Sequence, residues 1–171
     1  MRYLGVDPGL DGAIALIEDG RILGISDVPT FKTTRGMTKR KKGIRNTPRI
    51  VRELDEEVLA GVIDAIAQGG PVRGVMEKVG SMKDQGIASA FAFGQVYGGL
   101  KMALGYAGIP YESVTPQRWK LAMGCGADKE SSLVACLREF PEENDIWFGP
   151  KQGILDGRCE AALIALWGSR Q

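Results

Sequence analysis

Asp7 closes the apolar run YLGV, Glu77 closes GVM, and Asp156 and Glu160 lead into the apolar stretch AALIALW. Each acid sits where a rigid element begins or ends. Carboxylates fixed in that way can assemble a two-metal site, which holds the attacking and leaving oxygens of a phosphodiester between ions about 3.5–4 Å apart. Magnesium suits this set, because it takes one or two carboxylates plus substrate phosphates and waters in place of an all-protein cage. The acids therefore point to two Mg2+ ions, with Mn2+ as the substitute, and to no small-molecule cofactor. The chain has no histidine, which closes off histidine general bases, histidine zinc sites and Ser-His or Cys-His nucleophiles.

These acids need elements to position them. Residues 2–7 read as a strand that ends at Asp7, and residues 12–18 and 21–27 flank Asp19-Gly20, a two-residue hairpin signal. Thr47 as N-cap and Pro48 at the first helical position predict a helix over about 48–67, with apolar residues from Ile50 to Ile66 at helical spacing and Gly69-Gly70 as the stop. A short strand over 72–76 delivers Glu77. Further helices are expected at about 85–107, 129–139 and 155–167, with a strand near 111–115, a short helix after Thr115-Pro116 and a loop over 140–153. The order β-β-β-α-β-α-β-α-α-α predicts one α/β domain over residues 1–171, a mixed five-stranded sheet with helices on its faces. If the first strand neighbours the later one, Asp7 and Glu77 meet at one sheet edge. Asp156 and Glu160, four residues apart, share a helix face that closes over it. Ala90, Gly94 and Gly98 leave one face of their helix nearly bare, where a neighbouring helix or a second subunit packs close.

The 171 residues, 44% apolar and 25% charged, describe an ordinary globular chain. Three cysteines without a C-x-x-C pair fit a reduced, cytoplasmic setting, and neither a signal peptide nor a membrane span is expected. The net charge of +1 hides an asymmetry. Residues 31–49 carry Lys32, Arg35, Lys39, Arg40, Lys41, Lys42, Arg45 and Arg49 and no acid, leaving 14 basic and 21 acidic residues elsewhere, a net of −7. One concentrated basic segment on an acidic body is a nucleic-acid signature. The segment at about 31–47 is expected to be a mobile basic loop that contacts DNA.

GVDPGLDGAIAL, the acid of VMEKVG, the stretch VTPQRWKLAMGCGADKES and the acid pair before AALIALW, taken together and in order, resemble the RuvC-type Holliday junction resolvases. EKVG and the following FGQVYG are closest to the phage-encoded branch. The resemblance implies an RNase H-like fold, a homodimer and magnesium-dependent resolution of four-way or other branched DNA by paired nicks, leaving 5′-phosphate ends. It carries catalytic and metal-binding roles to Asp7, Glu77, Asp156 and Glu160, and places Lys120 and Lys129 near the scissile phosphate. The chain departs from bacterial members in two respects. Its C-terminal acids are spaced D-x-x-x-E where those members have D-x-x-D, and Gly80 stands where they carry a wedging aromatic. Met82, Phe91 or the basic loop are the candidates to replace that aromatic, and broader cutting of branched DNA follows if none does.

Two rival readings stay open. An RNase H-like ribonuclease that trims structured or precursor RNA also opens on a D-x-G strand turn. A non-catalytic junction-binding protein would use the acids only as turn formers and helix caps: Asp7 before Pro-Gly suits a turn, and Asp156 suits the first turn of a helix. Asp11-Gly12 reads as turn chemistry and not as a fifth acid. Trp119, Phe91 and Phe93 read as core or interface residues, and the cysteines as small buried apolar side chains.

Overall fold

The computed structural model of the chain describes residues 1–37, 48–80 and 86–171. Asp19 and Gly20 both take left-handed backbone, with φ of 50° and 77°, as a two-residue hairpin requires. They turn β2 (Ala13–Glu18) into β3 (Arg21–Asp27). β2 also pairs antiparallel with β1 (Arg2–Asp7). β6 (Val72–Glu77) lies parallel on the other side of β1, and β7 (Tyr111–Val114) parallel beyond it. The five-stranded order is β3-β2-β1-β6-β7. Because β1 and β6 are parallel neighbours, both run to their carboxyl ends at one edge, where Asp7 and Glu77 stand.

Alternation along β1 sorts its side chains between two cores. Leu4 and Val6 enter an apolar layer with Leu59 and Ile63 of α1 (Glu56–Gln68) and Val96, Leu100 and Leu104 of α2 (Ile87–Tyr106). The opposite face of the sheet is covered by α5 (Asp156–Ser169), a helix buried along most of its length. α3 (Pro116–Met123), α4 (Lys129–Glu139) and a single 3-10 turn at Asp145–Trp147 pack around it. Arg2 sits at the C-terminal end of α1, where its guanidinium donates to the carbonyls of Ile66, Gly70 and Pro71 and satisfies acceptors the helix leaves open.

Two expectations fail here. The helix expected from Pro48 starts only at Glu56, with Asp55 as N-cap accepting a hydrogen bond from Val58 N at 3.1 Å. Residues Pro48–Leu54 instead form β5, paired antiparallel with β4 (Thr30–Met37) in a separate two-stranded sheet. Ile50 and Val51 are β-branched and find Thr33 and Thr34 opposite them, while Asp55-Glu56-Glu57 is the stronger helix start, an acceptor cap followed by two acids in the first turn. The same pairing corrects the basic loop. Lys32 and the backbone of Arg35 belong to β4, and Arg49 to β5, with Lys32 and Arg49 exposed. Lys39, Arg40, Lys41, Lys42 and Arg45, the Arg35 side chain and Met82 lie outside the described residues.

Candidate active site

β1 carries Asp7 to the sheet edge and the next residues turn away through Pro8 and Gly9. β6 carries Glu77 to the same edge. α5 closes on them because β1 has a glycine beneath it. A Cβ at Gly5 would collide with the Ala161 carbonyl oxygen and lie 2.5 Å from Ala165 N. A Cβ at Gly157 would collide with the Asp11 carbonyl oxygen. Backbone thus meets backbone between α5 and the first strand and its turn, and Glu160 comes down onto Asp7.

The result is a three-carboxylate cluster. Asp7, Glu77 and Glu160 each offer an oxygen within 4.8 Å of the others, from three different elements. Burial first, and then repulsion by Glu160, Glu77 and Asp156, hold the Asp7 carboxyl well above its ordinary value, with Lys120 pulling the other way. Glu77 is also raised, by burial foremost, although a hydrogen bond from Trp119 opposes the shift. Carboxylates this close repel unless protons or cations neutralise them. A divalent cation fits these donors, which are hard oxygens supplied by rigid elements.

Two lysines border the cluster. Lys120 Nζ donates to Glu160 Oε1 at 2.7 Å, with both side chains less than one-fifth exposed. Burial opposes the Lys120 charge, but the Glu160 hydrogen bond and the carboxylates of Glu160 and Glu77 outweigh it and raise its pKa. Lys129 Nζ lies 2.7 Å from Asp156 Oδ2, a contact that raises the Lys129 pKa. Asp156 therefore stands apart from the three-acid cluster. It is close enough to repel Asp7, but its carboxylate faces Lys129.

Trp119 has a second role besides filling the core. Its indole is fully buried and Nε1–H donates to Glu77 Oε1 at 2.8 Å, fixing that carboxylate from behind. The sequence held one signal of it: a buried tryptophan needs an acceptor for its N–H, and this one immediately precedes Lys120. Arg52 was also missed. From β5 it pairs with the Asp11 carboxylate and donates to the Leu10 carbonyl, tying the two-stranded sheet to the loop after Asp7. Asp11, read as a turn residue, is exposed and engaged by that pair. Phe91 is 61% exposed, and Phe93 is half-buried.

A mixed five-stranded sheet, three strands antiparallel and two added in parallel, with helices on both faces, is the RNase H-like fold class. Among solved structures the chain is similar to Thermus thermophilus RuvC in complex with Holliday junction substrate, with a TM-score of 0.59, 15% identity, and coverage of 99% of this chain and 93% of that one. It is likewise similar to a second Thermus thermophilus RuvC structure, with a TM-score of 0.53, 18% identity and coverage of 99% and 96%. At that identity the likeness is one of fold. No family model matches the sequence and no curated protein does. Among the described residues no helix is long and apolar enough to cross a membrane.

Proposed function

We propose that the protein is a metal-dependent endonuclease that resolves four-way or other branched DNA by paired nicks, leaving 5′-phosphate ends. The observation that carries this reading is the convergence of Asp7, Glu77 and Glu160 on one edge of the sheet, beside two lysines. EKVG and FGQVYG lend it the phage-like affiliation, and a protein of that kind would act in the host cytoplasm.

Asp7, Glu77 and Glu160 would hold the Mg2+ ions, and Asp156, paired with Lys129 at 2.7 Å, would be the fourth carboxylate of the set. When bound, the ions would supply a water activated for in-line attack and stabilise the 3′ leaving oxygen. The chain's own groups do the rest. Trp119 keeps the Glu77 carboxylate aimed at the cluster. Lys120 stays protonated and neutralises charge on the non-bridging phosphate oxygens. Lys129, two-thirds exposed, reaches the backbone of the incoming strand. Lys32 and Arg49 extend the contact along DNA from the two-stranded sheet, and the sequence between them supplies further basic residues suited to the same phosphates.

Paired nicks need paired sites, which a two-fold dimer provides. α2 supports one. Its outer face presents Ile87, Phe91, Gly94, Gly98, Met102 and Tyr106, all exposed in the single chain, and an apolar stripe of this kind calls for a partner. A second copy of the chain is the occupant we assign to it.

The test is cleavage of labelled four-way junction, replication fork, linear duplex and single-stranded RNA, with and without Mg2+, by wild type and Asp7→Asn. Symmetric, metal-dependent nicks in the junction that disappear in Asp7→Asn are expected. Preferential cutting of the RNA, or junction binding without cleavage, would overturn the reading.

A further inference from the structure

The active-site carboxylates have a cleft on their outer side that the chemistry above does not use. It encloses about 570 Å3, and its lining includes Pro8, Glu77, Lys78, Phe93, Thr115, Pro116 and Gln117. Three rigid elements build it. Pro8 follows Asp7 at the end of β1, Pro116 opens α3, and Phe93 projects from α2, its ring edge 3.7 Å from where a Cβ on Gly9 would stand. Lys78 and Gln117 are exposed. Lys78 N donates to Val114 O at 2.7 Å, which holds the chain just past Glu77 against β7 and keeps the cleft open beside the acid.

The lining selects its ligand. The walls mix ring faces with polar ends: Phe93, Pro8 and Pro116 are apolar, and Lys78, Thr115 and Gln117 carry hydrogen-bonding groups. An aliphatic chain would leave the Gln117 amide without a use. A flat, apolar-faced group with hydrogen-bonding edges suits these walls: a ring to stack on Phe93, proline rings for further apolar contact, and an amide that can donate and accept. The volume falls within the roughly 300–1,000 Å3 of small-ligand clefts. We infer that the cleft is a nucleobase pocket, which takes one unpaired base from the strand being cut, stacked on Phe93 and read at its edge by Gln117. This rests on the nuclease reading and deepens it. The pocket adjoins Glu77, so the base belongs to a nucleotide next to the scissile phosphate.

The pocket also supplies a source of selectivity. A base inside a duplex must be unpaired and unstacked to enter, at a cost of a few kcal/mol that is smallest where pairing is already broken. Branch points meet that condition and linear duplex does not. Discrimination would then arise from the strand's ability to release a base, with no need for a protein element that pries the helix apart.

The test uses the full-length chain in the Asp7→Asn background, so that binding is followed without cleavage. Four-way junctions carry 2-aminopurine at one nucleotide at a time around the exchange point. Binding is expected to change its emission at one position. Phe93→Ala should abolish that change and weaken binding about tenfold, within the range of base–aromatic stacking, while Phe93→Tyr retains both and serves as the folding control. In the nuclease itself, Gln117→Ala should flatten the preference among the four bases at that position. No position-specific change, or one that persists in Phe93→Ala, would overturn the pocket. The two readings separate cleanly. A Phe93-dependent signal with no nicking by wild type keeps the pocket and removes the nuclease. Nicking without the signal does the reverse.

Discussion

Three carboxylates gathered at a partly buried sheet edge repel one another in the metal-free protein, and Asp7 bears most of the strain. Its raised pKa has a consequence for stability. Between the ordinary carboxylate range near pH ~4 and the raised native values of Asp7 and Glu77, the native state holds protons that the unfolded chain has released. Stability of the metal-free protein therefore falls as pH rises through that window. Asp7→Asn removes both the buried charge and the repulsion. Melting in a chelator at neutral pH should show Asp7→Asn about 2–4 °C above wild type, the shift that about 1 kcal/mol produces in a domain of this size. The difference should shrink as pH is lowered, and added Mg2+ should raise wild type more than the variant. A variant that melts below wild type at neutral pH would show that the acids are not under strain. Trp119 acts on the same cluster through Glu77. Trp119→Phe keeps an aromatic in the core and removes the donor at 2.8 Å. Partners of this kind to metal ligands are worth about 10–100-fold in affinity or activity. Mn2+ binding followed by electron paramagnetic resonance should weaken about tenfold in Trp119→Phe. Unchanged affinity would reduce the indole to a core filler.

At the scale of elements, what sequence reveals depends on how local the determining interaction is. Asp19-Gly20, the stop at Gly69 and the Asp128 cap of α4, whose carboxylate accepts from Ser131 N at 2.8 Å, all work within a few residues. The boundaries they set match expectation: the β2–β3 turn, the end of α1 and the start of α4. β4 and β5 do not work that way. Each is held by the other across a span of chain, Thr33 opposite Val51 and Thr34 opposite Ile50, so the apolar residues after Pro48 could be read as a helix face. The candidate site divides along the same line. Asp7 and Glu77 end strands whose apolar runs are plain in sequence, and one further assumption, that β1 neighbours β6, brings them together. The convergence of Glu160 is legible only in part, because the fit of α5 onto β1 turns on Gly5, a residue that looks unremarkable within YLGVD. The split between Glu160, in the cluster, and Asp156, on Lys129, was not legible. Four-residue spacing puts both acids on one helix face but does not say which neighbour each will find. Trp119 and Arg52 were hidden for the same reason, since their partners lie 42 and 41 residues away.

For the whole molecule, the paired nicks proposed above would need two sites, and one chain carries one such cluster among its described residues. α2 bears directly on it. Its inner face fills the core through Val96, Leu100 and Leu104, and its outer face is mostly apolar or bare, broken by the exposed Gln95 and Lys101, with Ile87 89%, Met102 72% and Tyr106 85% exposed. Large apolar side chains left exposed along one helix stripe call for a partner, and the single chain buries only the inner face of this helix. Gly94 and Gly98 give a partner helix room to approach, since a Cβ built on either meets nothing within 4 Å in the isolated chain. That same emptiness makes the face testable without harming the fold. Gly98→Arg introduces no clash within the chain and improves helix propensity by about 0.5–1 kcal/mol, yet it sets an uncompensated charge in the middle of the proposed contact. Sedimentation should show wild type as a dimer and Gly98→Arg as a monomer with undiminished thermal stability. On a supercoiled plasmid extruding a cruciform, the dimer should linearise the circle in one encounter, while the monomer should accumulate nicked circles. A Gly98→Arg protein that remains dimeric and linearises the plasmid as wild type does would place the two-fold contact on another face of the molecule.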